Sequence, residues 1–242
     1  MRTPLDDALS GGGREAAPAC SGRDAAACVA VLAAALALEW ASPVWGQVAA
    51  GFVLWAFLLR RLARASGLER RTFFAILAWA TAGELFCSLA WGLYTYRLGN
   101  IPHAVPPAHV IVFLIGLALS RFVTPASADR LTAAYAVLTV GAAWLLGDEL
   151  SVFLFAVYLL AYRLRPGMRP LLATMFLVTL VLELTGTALG TWYWEPVAPV
   201  LGLATTNPPV AVAAFYCVLD VLVFATVRGR LRRFTALRLS IR

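Results

Sequence analysis

Lysine is missing from this chain of 242 residues; all twenty basic side chains are arginine. That uniformity reads as a codon bias and not as a functional signal. Charge of any sign is scarce, at 14% of residues, which excludes an ordinary soluble globular domain. The four cysteines, Cys20, Cys28, Cys87 and Cys217, have no Cys-x-x-Cys spacing, and the only two histidines, His103 and His109, lack an obvious third ligand, so no metal site is expected. No nucleotide-binding loop, Gly-x-Ser-x-Gly elbow or haem motif is present, and no cofactor is expected. A pI near 9.7 raises nucleic acid as a partner. The arginines, however, sit beside apolar runs without a basic-aromatic groove, and no nucleic-acid partner is expected. The first residues have no early apolar core followed by a cleavage site, so no signal peptide is expected.

What is abundant is apolar sequence: 61% hydrophobic residues and a mean hydropathy of +0.79. These values predict an all-α, polytopic transmembrane helical bundle whose first partner is the lipid bilayer. Candidate spans cover 25–41, 44–59, 72–94, 105–122, 131–147, 150–162, 170–192 and 208–227. Eight is the expected number, and six is the alternative if the pieces around "EWASP" and "GDELS" are partial spans. Residues 1–24 read as a disordered cytoplasmic tail and 228–242 as a basic cytoplasmic tail. With eight spans and the N-terminus inside, every arginine but Arg97 falls on the inner side, as the positive-inside rule requires. The outer loops then carry Glu39, Asp148, Glu149, Glu195, His103 and His109. The expected location is the inner membrane, with both termini cytoplasmic.

Two stretches repeat a polar pattern. "ELFCSLAWGLYTY" begins at Glu84 and "ELTGTALGTWYW" at Glu183. Glu84, Ser88, Gly92, Tyr94, Tyr96 and Pro106-Pro107 run in the order of Glu183, Thr187, Gly190, Trp192, Trp194 and Pro208-Pro209. The spacing predicts a tandem 4+4 repeat, residues 25–122 and 131–227, in parallel orientation about an axis along the membrane normal. Glu84, Glu183 and Asp220 each lie deep in a span, where an ionisable side chain costs roughly 2.5–3.5 kcal/mol on insertion scales. Ser88 and Thr187, one turn from their acids, are placed to bond a carboxyl group. One reading makes the acids interhelical glue; the other makes them proton donors. Tyr94, Tyr96, Trp192 and Trp194 fit an interfacial aromatic belt, and equally a set of faces that stabilise a cation. Asn207 either caps a helix or orients a ligand.

The stretch "ELFCSLAWGLYTYRLGNIPHAVPP" resembles the first half of the membrane carotenoid-biosynthesis proteins related to bisanhydrobacterioruberin hydratase, and "GTWYWEPVAPVLGLATTNPP" is similar to their second half. The resemblance implies a membrane enzyme acting on a hydrophobic isoprenoid, carotenoid-like small-molecule substrate, by acid-initiated hydration or cyclisation of a C=C bond. Protonation of carbon gives a tertiary carbocation that needs aromatic faces and a dry pocket. Glu183 or Glu84 would supply the proton, Glu183 being the expected more sensitive acid. Tyr94, Tyr96, Trp192 and Trp194 would line the pocket, with Ser88, Thr187, Asn207 and His109 contacting substrate, and Asp220 would position water. The rival from another class is a non-enzymatic membrane protein, a small transporter or a scaffold with intramembrane acids.

Overall fold

The computed structural model describes residues 22–240, with side chains described for residues 23–228. Most of the expected N-terminal tail, with Cys20, and the side chains of the basic C-terminal segment lie outside the described residues. Within them the chain forms eight α-helices: α1 (Gly22–Ala41), α2 (Pro43–Arg64), α3 (Gly67–Glu84), α4 (Val105–Ser120), α5 (Pro125–Leu146), α6 (Glu149–Leu164), α7 (Arg169–Ala188) and α8 (Ala213–Ser240). Four helical segments are long and apolar enough to cross a membrane: Arg23–Ala41, Pro43–Arg64, Gly67–Ala90 and Pro166–Ala188. Many large apolar side chains face outward, Trp144 and Phe122 among them at 87% and 85% exposed, as expected where the solvent is lipid.

Local sequence explains the helix ends. The "EWASP" turn is a tight hairpin in which Pro43 opens α2 directly after α1, and Gly46 lets the backbones meet: a Cβ there would lie 1.9 Å from the Leu38 carbonyl oxygen. Ser66 and Glu69 form a reciprocal capping box at the start of α3. Thr124 caps α5 by accepting from the Ser127 N–H, and Asp148 caps α6 through the Ser151 N–H. Several boundaries differ from expectation. Helix α5 starts at Pro125, not at residue 131, because Thr124 caps it and Pro125 opens it, and Asp129 and Arg130 follow that first turn without interrupting the helix. Helix α8 starts at Ala213, so Pro208-Pro209 belong to the preceding turn, whereas Pro106-Pro107 do open α4. At the other end α8 runs on through Ser240.

The two motif helices end earlier than the apolar runs suggest, since each stops before its aromatic pair. Short strands β1 (Tyr94–Tyr96) and β2 (Trp192–Trp194) follow, paired antiparallel with Tyr94 opposite Trp194 and Tyr96 opposite Trp192. A second small pair, β3 (Val197–Ala198) and β4 (Leu203–Ala204), braces the loop before α8. The β1–β2 ladder is extended reciprocally: Arg97 N–H donates to the Thr191 carbonyl and Glu195 N–H to the Leu93 carbonyl, both 2.9 Å. The two quoted motifs are thus hydrogen-bonded to each other.

One difference of spacing is absorbed locally. Gly92 follows Glu84 by eight residues, but Gly190 follows Glu183 by seven. Directly after Glu84 the chain widens into a π-helical segment, Leu85–Ala90, while α7 stays α-helical through Ala188. A π turn takes up one extra residue without breaking the helix. Both glycines then adopt a positive φ, +72° and +64°, which turns each chain from helix into strand.

Helices α3, α4, α7 and α8 form the centre: α3 packs on α4 and α8, and α7 packs on α4 and α8. Helix α4 is the most enclosed, with Val110 through Ala118 buried. In the second half α5 lies on α7, where Tyr135 stacks on Phe176 at 4.2 Å. In the first half α1 packs on α2 and α4, and a cavity occupies the space between α1 and α3.

Candidate functional site

That cavity, about 430 Å³, is bounded by α1, α3, α4, α7, α8 and the two aromatic strands. Its wall is almost wholly apolar, with Leu32, Leu36, Trp79, Val112, Leu182 and Leu219 among its residues. The polar exceptions are few, and they include both motif acids. Glu84 and Glu183 line it at 7% and 5% exposure, as do Tyr94, Tyr96, Trp192, Trp194 and His109. Asp220 does not line it.

Each acid is cradled by the aromatic pair that follows it. Tyr94 and Tyr96 both donate their hydroxyls to Oε2 of Glu84, each at 2.8 Å. Trp192 and Trp194 both donate their indole N–H groups to Oε2 of Glu183, at 2.8 and 3.2 Å. The π segment makes this correspondence possible, because it carries the tyrosines to the height that the tryptophans reach with one residue fewer. Gly186 completes the second cradle: the Trp192 ring lies on it so closely that a Cβ would come within 1.9 Å. Burial, and after it the Glu84 charge, push the Tyr94 and Tyr96 phenols well above the ordinary tyrosine range, so both remain hydroxyl donors. Across the ladder the rings meet, Tyr94 with Trp194 at 4.8 Å and Tyr96 with Trp192 at 6.1 Å. These aromatics therefore form an inner wall, with Tyr96 and Trp194 buried.

The remaining oxygens of the two acids face a stacked ring pair. Oε1 of Glu183 accepts the Tyr216 hydroxyl at 2.9 Å, and Oε1 of Glu84 lies 3.8 Å from Nε2 of His109. The His109 and Tyr216 rings stack at 5.1 Å with 13° between their planes. Nδ1 of His109 is 3.0 Å from the Val105 carbonyl oxygen, an obligate acceptor, so this nitrogen carries a hydrogen. Nε2 of a neutral ring then presents a lone pair toward Glu84. At Glu183 two donor-only indoles occupy Oε2, so a proton could sit only on Oε1, against Tyr216.

Several expected roles change. Ser88 donates to the Tyr94 carbonyl at 3.2 Å and Thr187 to the Glu183 carbonyl at 2.8 Å; both hydroxyls hold backbone, and neither bonds a carboxyl group. A hydroxyl one turn after a helical residue reaches that residue's carbonyl more readily than its side chain. Asn207 neither caps a helix nor lines the cavity; its Oδ1 accepts the Trp194 N–H at 2.9 Å, fixing the second aromatic strand. His109 belongs to the first turns of α4 and not to an outer loop. His103 packs against Gly51 in α2, with its carbonyl bonded by Trp55 at 2.9 Å. Asp220 is fully buried in α8 away from the cavity, and its Oδ2 has no hydrogen-bond partner.

Sequence reasoning passed over Tyr216, which reads as core inside an apolar helix; its position four residues before Asp220 was the available signal. It also gave no structural role to Asp148. This carboxylate is fully buried and accepts from Ser151, Thr205, Thr206 and the Val210 N–H, which locks the loop before α8. Arg97 is the third omission. It donates to the Gly190, Leu189 and Glu39 carbonyls and so joins the end of α7 to the end of α1. Among the described residues no group of three or more His, Cys, Asp or Glu is placed to hold a metal ion.

No family model, curated protein or solved structure matches the chain.

Proposed function

We propose that this protein is an integral membrane enzyme that protonates a terminal C=C bond of a hydrophobic isoprenoid, carotenoid-like substrate, leading to hydration or cyclisation. The observation that carries the reading is the pair of buried carboxyl groups, each cradled by two aromatic donors, on the wall of one apolar cavity. Functional pockets commonly span roughly 300–1,000 Å³, and the present one suits the end of a polyene and not its whole length. The remaining chain would lie in the bilayer. Glu84 is the proton donor: its Oε1 faces Nε2 of His109 at 3.8 Å on the cavity wall, whereas both oxygens of Glu183 are engaged by three donors. Protonation converts the alkene to a tertiary cation, and the facing indole and phenol rings with the Glu183 carboxyl group stabilise it in a water-poor site.

Eight spans arranged as a 4+4 parallel repeat, in the inner membrane with both termini inside, belong to the same proposal. Its support is the reciprocal ladder, the matched cradles, and the arginines at the α2–α3, α4–α5 and α6–α7 junctions against Arg97 alone at the opposite ones. Expression in a polyene-producing host, with pigments analysed by mass spectrometry, tests the activity. The expected result is a pigment heavier by one water or cyclised at an end, absent with Glu84→Gln. Unchanged pigments with well-expressed protein would overturn the proposal. Reporter fusions after residues 65, 100, 167 and 197 test the topology, those at 100 and 197 being expected outside.

A further inference from the structure

The cavity has a third acid that the proton-donor reading leaves unused. Glu39 lies in the last turn of α1, 8% exposed, and lines the cavity. An acid there faces the negative end of the helix dipole and is badly placed as a helix-end residue. Thr191 lines the same cavity at 5% exposure, and its Oγ1 has no hydrogen-bond partner. An orphaned buried hydroxyl is costly unless something fills its bonds. Arg97 ties the two residues to one corner: its N–H donates to the Thr191 carbonyl at 2.9 Å and its Nη1 to the Glu39 carbonyl at 3.2 Å. In the first motif the residue at the corresponding ladder position is Leu93, which is buried and apolar, so the corner is polar on one side of the ladder only.

We propose that Glu39 and Thr191 form a hydroxyl-oxygen site that holds the water added to the substrate, with Glu39 as its base. The inference rests on the proton-donor reading and selects hydration over cyclisation within it. The alkene π pair takes the proton of the Glu84 carboxyl group to form the C–H bond, which leaves a tertiary cation and the Glu84 carboxylate. A lone pair of the held water forms the C–O bond, and that water's proton passes to the Glu39 carboxylate. The net change is alkene plus water to tertiary alcohol, and the proton returns from Glu39 to Glu84 before the next turnover. By microscopic reversibility the same corner holds the product's hydroxyl. Asp220, expected to position water, lies outside the cavity and takes no part.

The test uses the full chain in lipid nanodiscs and compares binding of a C15 isoprenoid bearing a terminal tertiary hydroxyl with the hydrocarbon of the same length. The native protein is expected to prefer the alcohol by about tenfold or more, the usual effect of hydrogen bonds to a buried charged group. Thr191→Val and Glu39→Gln should each reduce that preference while hydrocarbon binding stays unchanged, and Thr191→Ser should restore it. Equal affinities in the native protein, or a preference that survives both variants, would overturn the site. In the polyene-producing host, Glu39→Gln and Thr191→Val should move product from alcohol toward isomerised or cyclised hydrocarbon by at least tenfold. A Glu84→Gln variant with intact conversion would remove the proton-donor reading, while the binding preference would still decide the hydroxyl site.

Discussion

The two cradles have the same frame and different chemistry. Around Glu84 the donors are phenols, groups that also accept, and the free side of the carboxyl group meets a titratable imidazole. Around Glu183 the donors are indoles, which only donate, and the free side meets another phenol. The shell of one acid is built of groups that both donate and accept, and two of the three donors on the other can only donate. Burial alone does not separate them, since both are nearly inaccessible. What separates them is the identity of the hydrogen-bond partners, and the division of labour follows from that.

The largest effect that tests this contrast is on turnover. Glu84→Gln is expected to lower conversion by about 10²–10⁴, the usual contribution of a general acid. Glu183→Gln should cost less, because an amide oxygen still accepts both indoles and its NH₂ donates to Tyr216. Equal losses in parallel pigment assays, at unchanged melting temperature, would erase the distinction; a larger loss at Glu183 would reverse the roles. Next in size is a stability effect. Gly186→Ala forces the Trp192 ring off its seat and should cost about 1–3 kcal/mol, an overpacking penalty. Gly83→Ala, at a helical glycine with nothing within 4 Å of its Cβ position, should be neutral or stabilise by up to about 1 kcal/mol. Thermal melts of the two variants decide it.

A smaller effect concerns the π segment. Deleting the exposed Leu89 brings the Glu84-to-Gly92 spacing to that of the second motif. The shortened segment should revert to α-helix with the tyrosines still on Glu84, whereas deleting the exposed Leu184 from α7 should unseat Trp192 and Trp194. A deletion of Leu89 that melts as low as the deletion of Leu184 contradicts this account. The smallest effect is expected at Asp220. Asn there keeps shape and removes a potential charge at a site outside the cavity, so conversion should stay within about twofold of the native protein. A collapse of activity in Asp220→Asn with retained fold would place the residue back in the mechanism.

The helices and the paired acids were legible because apolar length and polar order are properties of the linear chain. The helix expected over 44–59 is α2, Pro43–Arg64. The partners of each acid were half legible: the aromatic pairs were evident from their order, but their hydroxyl and N–H contacts depend on a handover from helix to strand that apolar periodicity cannot signal. The hydroxyls of Ser88 and Thr187 were misassigned for a related reason, since helical spacing leaves open whether they reach a side chain or the backbone. Glu39 and Thr191 are both tied to Arg97, whose side chain bonds the Glu39, Leu189 and Gly190 carbonyls and whose backbone N–H bonds that of Thr191, contacts that leave no local trace in the sequence.

The ladder between the two aromatic strands also has a mechanical consequence. A carrier that works by alternating access rocks one repeat against the other, and its outer end must open and close. Here the ends of α3 and α7 that carry the aromatic strands are laced by reciprocal backbone hydrogen bonds, and Arg97 ties the end of α1 to the end of α7. Rocking the two halves apart at this end would have to break that whole set at once, so the ladder acts as a fixed hinge plate.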